Sequence, residues 1–596
     1  MLLLALACSD YELKSPADVG VGEDTARFCE DIQEPDYAVT PDESCIAAPA
    51  VGTFNPVIEW QWTANVAYPG YDDLMATPAI GNLTDDNGDG LVNQDDVPDI
   101  VFTSFSGGAY SSAGTLTAIS GDDGAQQWSV TGGGGYSLYA VGGVAIGDLE
   151  GDGVPEVCTA AVGVSVICFE VYTQGAVFKW AAGTEPYSVG APAFADMDGD
   201  GRSEVIFGRE IFDADGNLLG KGEHGIARSM TFAVDMDDDG QLEVVAGNAI
   251  YEMDGSTAWS DGGTDGMTAV ADFNLNGQPE LVRVGGNVVQ VLSPFGDTVA
   301  WTTSVPGGGG GPPTVADFDG DGLPEVGVAG LAYYTVFDTD GAVMWSNPVS
   351  DYSSSVTGSS VFDFEGDGDS EVVYADEHTL WVFEGATGAI LMAQEGHASG
   401  TLFEFPLIAD VDLDGSTEII VASNNYAFSG WNGITVIGDA DQSWAPARPI
   451  WNQVGYHITN VNDDGTIPSV QTRNWESWNN FRAGGTILGP SHWQVDLHFG
   501  DPVICTTECD QDVVYVSVPV ENTGLLDAVD AEVDFDGQAS TTLTVKSGEA
   551  LWIEPVAIRR QQWEPGALRV YLDPDGALNE CDVTDNSLDL GPWPCD

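Results

Sequence analysis

The side chains able to do chemistry in this sequence are carboxylates, and their spacing repeats. Asp148-Leu-Glu-Gly-Asp-Gly-Val-Pro-Glu156 sets acids at its first, third, fifth and ninth positions and glycine at its sixth. Six further stretches follow the pattern, and with it they supply seven candidate ligand sets: Asp148, Glu150, Asp152 and Glu156; Asp196, Asp198, Asp200 and Glu204; Asp235, Asp237, Asp239 and Glu243; Asp272, Asn274, Asn276 and Glu280; Asp317, Asp319, Asp321 and Glu325; Asp363, Glu365, Asp367 and Glu371; Asp410, Asp412, Asp414 and Glu418. Alternate side chains on a tightly curled loop converge on one point when a residue tolerant of unusual φ makes the turn, and Ca²⁺ takes six to eight oxygens at about 2.3–2.6 Å. The loop at Asp272 carries two neutral ligands and is expected to bind most weakly.

An expanded eighth copy lies upstream, between Asn82 and Asp99. There Asp85, Asn87, Asp89, Gly90 and Asp96 fit a twelve-residue calcium loop, with either Asp96 or Asp99 as the closing ligand. The flanks read as strands, so the loop is not part of an EF-hand. Up to eight Ca²⁺ sites are expected.

The seven regular loops open 37 to 48 residues apart, a period of propellers and solenoids. Each unit reads as four short strands. Ala191–Ala195 enters a loop, Glu204–Phe207 leaves it, Glu210–Asp213 follows, and Asp215-Gly216 turns the chain into Asn217–Leu219. The fourth strand often carries Trp, as at Trp128, Trp180, Trp259, Trp301 and Trp345, where a large ring fills the gap between units. The fold expected is all-β: a β-propeller of eight blades, with seven as the alternative, followed by a small Ig-like β-sandwich. Val57–Trp62 reads as a fourth strand that completes the last blade and removes open sheet edges.

The Asp-x-Asp-x-Asp-Gly-x-x-Glu loops between strands resemble the FG-GAP/VCBS repeats of bacterial surface proteins and, more distantly, the propeller of integrin α subunits. The resemblance covers residues 51–445 and rests on the loop and blade pattern, since the Phe-Gly…Gly-Ala-Pro signature is missing. It implies a calcium-stabilised binding or adhesion domain.

With 95 acids against 15 bases, the net charge of −80 excludes a nucleic-acid binder resting on a basic face. The chain is 43% hydrophobic and therefore folds rather than remaining an acidic coil. Met1-Leu-Leu-Leu-Ala-Leu-Ala-Cys8 resembles the end of a bacterial lipoprotein signal, with Cys8 the lipidated residue and the rest of the signal upstream of Met1. Residues 9–50 read as a tether. This places the protein outside the cytoplasm, at the outer membrane or cell surface, held by a lipid anchor alone. Setting Cys8 aside leaves eight cysteines, an even number suited to an oxidising compartment. Cys158 and Cys168 flank a hairpin turn and should pair; Cys29 and Cys45 are expected to staple the tether; Cys505, Cys509, Cys581 and Cys595 fall in one module with undecided connectivity. Zinc is the rival for these four, but they lack paired C-x₂-C spacing.

Residues 446–490 form a junction rich in aromatics and arginine. Trp444, Arg448, Trp451, Tyr456, Trp475, Trp478 and Arg482 suit recognition of sugar or peptide, or a plug that packs the last blade against the next domain. Residues 491–596 alternate in period two, and Val520-Glu-Asn-Thr-Gly524 with Asp573–Glu580 and Asp585-Asn586 resembles CARDB, a cell-adhesion-related module.

No catalytic residue is assigned. His-Glu-x-x-His, Gly-x-Ser-x-Gly and Walker patterns are absent, and a carboxylate that ligates a metal is poorly available as a general base. The reading is a surface binding or adhesion protein whose partner is a protein or glycan. The alternative is a polysaccharide-degrading propeller enzyme, lyase or hydrolase, which would need a Lys, Arg or His left unliganded near free carboxylates. Lys179 and Lys221 are the two lysines of residues 51–445.

Overall fold

The computed structural model describes residues 39–41, 45 and 54–595, apart from 89, 186–189, 227–229, 297–298, 486–493, 564–567, 575–577 and 579. Two compact units emerge, Ala48–His492 and, separately, Met1–Ala47 with Trp493–Asp596.

The larger unit consists of eight four-stranded antiparallel sheets, with a propeller-like succession along the chain. In the third, for example, Ala193–Ala195, Glu204–Phe207, Glu210–Phe212 and Leu218–Lys221 pair in chain order. The first two strands of each sheet are buried along their length, which suits their Val, Ile, Phe and Ala content, whereas fourth strands alternate in exposure. The last sheet breaks the chain order. Leu407–Ala409, Glu418–Ser423 and Gly433–Asp439 are completed by Pro56–Trp62 from the N-terminal end, as expected.

The fourth-strand tryptophans join one sheet to the next. Trp180, Trp301 and Trp345 donate their indole N–H to Ala214, Thr339 and Gly385 of the following sheet, at 2.8, 2.9 and 2.5 Å. Their rings lie over the glycine of that sheet's last turn. A Cβ on Gly216, Gly341 or Gly388 would come within 2.5–2.7 Å of the indole. Trp60, from the strand that completes the eighth sheet, lies over Gly124 of the first in the same way.

The junction segment packs within the larger unit. It touches the first strand, or the residues beside it, of all eight sheets. Arg448 O accepts from Asp410 N–H, Trp451 exchanges two bonds with Ile80, and Asn452 O accepts from Ile146 N–H. Gln453 Oε1 accepts from Phe194 N–H at 2.7 Å, and Phe232 packs against His457 and Phe481. Arg482 donates to the Thr268 and Pro313 carbonyls, Phe481 pairs with Val315, and Val361 bridges to Arg482 and Gly484. Beyond Val454, the space left among Ala76, Val141, Ala191, Met230 and Phe403 is about 10 Å³, at the threshold for a single water.

The smaller unit gathers three short antiparallel sheets around Val514, Val516, Val518, Val520, Trp563 and Trp593. Cys509 is bonded to Cys595 and Cys505 is also disulfide-bonded. Cys45 is bonded to Cys581, 536 residues away, and not to Cys29. The far end of the expected tether is therefore fastened to this unit, because a disulfide needs Cα atoms about 4.4–6.8 Å apart and those of Cys45 and Cys581 lie at 5.5 Å. Cys8 and Cys29 lie outside the described residues. No helix among the described residues is long and apolar enough to cross a membrane.

Trp345→Ala should lower stability by about 3 kcal/mol, since it removes a buried indole and its carbonyl partner. Chemical denaturation measures this, and an unchanged midpoint would refute the joining role.

Candidate metal centre

Each acidic loop connects the first strand of a sheet to the second, and the backbone rather than the acids sets its curl. Two left-handed residues occur per loop. The sixth-position glycines have φ of 82–99°, as the sequence pattern required. The fourth position is also left-handed and was missed, because three loops place a non-glycine there: Asp238 (69°), Leu275 (56°) and Leu413 (60°). For leucine this conformation costs about 1–2 kcal/mol.

Backbone N–H groups hold the acids in a repeated scheme. The first-position Asp accepts from the residues after it: Asp196 Oδ1 from Gly199 and Asp200 at 2.8 and 3.1 Å, and Oδ2 from Gly201 at 2.8 Å. The fifth side chain accepts the seventh N–H, as Asp200 does from Arg202, Asp321 from Leu323 and Asp414 from Ser416. The closing Glu accepts the second N–H through one oxygen in all seven regular loops, at 2.7–2.9 Å.

Four loops bring their first, third and ninth carboxylates within 4.8 Å of one another: those at Asp148, Asp196, Asp317 and Asp410; in a fifth, Asp235, Asp237 and Asp239 converge. Asp410 Oδ1 and Glu418 Oε1, both in the last of these clusters, are buried without a hydrogen-bond donor. Oxygens left so in a convergent cluster fit a divalent cation, since burying unpaired polar atoms is otherwise costly. In the Asp363 loop Glu365 and Glu371 face each other, and burial together with that neighbour raises Glu371 to about 10.

In the expanded copy both closing candidates are held by backbone N–H groups. Asp96 accepts from Asp86, Asn87 and Asn93 N–H and closes the inserted loop, while Asp85 accepts from Gly88 and Gly90. Asp99 accepts Leu83 N–H as the closing Glu of the regular loops does, and also takes bonds from Thr84 and Gln127. Asp89 lies outside the described residues.

Of the residues considered for ligand recognition, Trp444, Arg448, Trp451, Tyr456, Trp475 and Arg482 are buried in the junction packing, and Trp478 is exposed. Sequence could not separate the roles, because an aromatic that fills a core and one that stacks on a sugar are the same residue. Lys221 pairs with Glu185 and Glu210, and Lys179 with Glu150, Glu156 and Glu170. A cleft of about 490 Å³ lies between the Asp196 and Asp235 loops and Ser469–Arg473, where Arg473 pairs with Asp235.

No family model and no curated protein sequence matches the chain. Among solved structures, the fold is similar to the Vibrio cholerae biofilm matrix protein Bap1, with a TM-score of 0.66 at 23% identity, covering 73% of this chain and 99% of that one. Weaker likenesses include the rhamnogalacturonan lyase YesW (TM-score 0.43, 16% identity, 64% of this chain and 75% of that one) and the Bacillus licheniformis rhamnogalacturonan lyase PL11 (0.44, 14%, 73% and 82%).

Two outcomes are expected. Burial, followed by neighbouring carboxylates, raises Glu204 to about 7, and Glu243 and Glu325 to about 8, so the metal-free folded chain holds protons that the unfolded chain has released. Its stability should fall as pH rises from about 4.5 to 8, and the melting temperature gained with Ca²⁺ should grow over the same range. Scanning calorimetry of calcium-free and calcium-loaded protein at pH 5 and 8 checks both signs. Separately, Asp317→Ala should lose more calcium affinity than Asp272→Ala, whose loop has two neutral ligands; isothermal titration showing equal or reversed losses would overturn the ligand assignment.

Proposed function

We propose that this chain is a calcium-stabilised binding or adhesion protein working outside the cytoplasm, its larger unit a closed eight-bladed propeller of the FG-GAP/VCBS kind. The observation that carries the reading is the repeated loop whose carboxylates converge within 4.8 Å, with buried oxygens of Asp410 and Glu418 left without a donor in the last copy. Ring closure is supported by Trp60 against Gly124 and by a junction segment that meets all eight sheets. The disulfides support an oxidising compartment, and the likeness of fold to a biofilm matrix protein fits a surface role. The smaller unit is read as a CARDB-like Ig-type sandwich, and Cys8 as the lipidated anchor.

The partner is a protein or glycan of the cell surface. It docks on outer loops, since the junction side chains fill the centre of the larger unit. Of the groups that catalysis would draw on, the two lysines Lys179 and Lys221 are both held in ion pairs, which supports the binding reading. A glycan array and a cell-surface pull-down, each run with millimolar Ca²⁺ and with chelator, test the proposal. Retention that chelator abolishes is expected; turnover of a polysaccharide by the purified protein, or retention indifferent to calcium, would overturn it.

A further inference from the structure

The loop opening at Asp148 differs from its counterparts. Lys179 reaches into it from the fourth strand of the same sheet, Gly175–Ala182, and its Nζ lies 2.5 Å from Glu150 Oε1 and 2.9 Å from Glu156 Oε1. Glu156 gives its other oxygen to Leu149 N–H, so Oε1 is the atom that would face a bound cation. An ammonium at these distances and a calcium ion at about 2.3–2.6 Å from the same oxygens would occupy one space. The lysine side chain is 10% exposed, so solvent screens the contact little.

Lys179 occupies a fixed place in the repeat, immediately before the fourth-strand Trp. Gln127 stands there before Trp128 and donates through Nε2 to Asp99, the acid corresponding to Glu156. Glu59 stands there before Trp60, adding a carboxylate beside Asp412 and Asp414. Ala258, Ala300 and Met344 stand before Trp259, Trp301 and Trp345 and bring neither charge nor donor. The loop's cation environment thus varies through one strand position.

We infer that Lys179 is a built-in counter-ion that replaces the metal in the Asp148 loop, making this copy metal-independent while the loops at Asp196, Asp317 and Asp410 take a divalent ion. A lysine ammonium is a compact charge with three donors, which matches a small carboxylate cluster without chelation geometry. The same sheet carries the Cys158–Cys168 disulfide between its second and third strands, so it is fastened twice without calcium. The inference rests on the calcium reading of the other loops.

Native mass spectrometry of the full chain counts bound Ca²⁺ in wild type, E150Q, K179Q and K179M; Gln127 in the first sheet suggests that glutamine is tolerated at this place. E150Q should keep the wild-type count, and the lysine variants should gain one ion. Loss of an ion in E150Q, or no gain in either lysine variant, would overturn the inference. Melting in chelator gives a second reading: K179Q should melt several degrees below wild type and recover with Ca²⁺, and identical melting in chelator would also sink it. A wild-type chain that binds no calcium would refute the reading of the other loops, while the chelator melt still decides the role of Lys179.

Discussion

Mutual repulsion of buried carboxylates is the constraint on which the larger unit depends. Three carboxylate oxygens within 4.8 Å, at least one of them on a buried residue in every group, repel one another and favour a proton or another positive charge among them. Three remedies are open: a proton, a divalent ion, or a basic side chain. Protons answer only at the expense of stability above their raised pKa values. Lysine answers once, at Glu150 and Glu156. At the Asp235 loop Arg473 Nη2 lies 3.0 Å from Asp235 Oδ2, and a divalent ion is the remedy that fits the loops at Asp196, Asp317 and Asp410, where backbone N–H groups already orient the oxygens.

That orientation explains why the loops are rigid enough to matter. Each first-position Asp is held by N–H groups of its own loop, and each closing Glu by the second N–H, so the acids are tied to the first two strands of their sheet. These are the most buried strands. They also carry, or lie beside, the positions at which the junction segment meets every sheet at the centre of this packing. Arg482 shows how tightly that centre is built: it is fully buried, its partners are carbonyls of Val454, Thr268 and Pro313, and burial lowers it to about 9.

The acidic loops, the four-strand unit and the N-terminal strand that completes the last sheet were legible from residues alone, because each is a local pattern repeated many times: turn glycine, alternating acids, Trp after a turn. Pairing of Cys158 with Cys168 was legible for the same reason, as ten residues around a hairpin permit little else. The pairing of Cys45 with Cys581 was not, since 536 residues of intervening chain place no local constraint on either partner.

Tertiary structure decided what non-local packing decides. It buried six of the seven junction residues considered for ligand recognition, because the space they fill is bounded by eight sheets and not by neighbours in sequence. It placed leucine in left-handed backbone at Leu275 and Leu413, where the curl of the loop prevails over the residue's own preference. It also brought Lys179 to Glu150, twenty-nine residues earlier in the chain, by the pairing of four strands. Composition and spacing fixed which atoms could bind a cation; only the folded sheet determined that one of those cations is the protein's own.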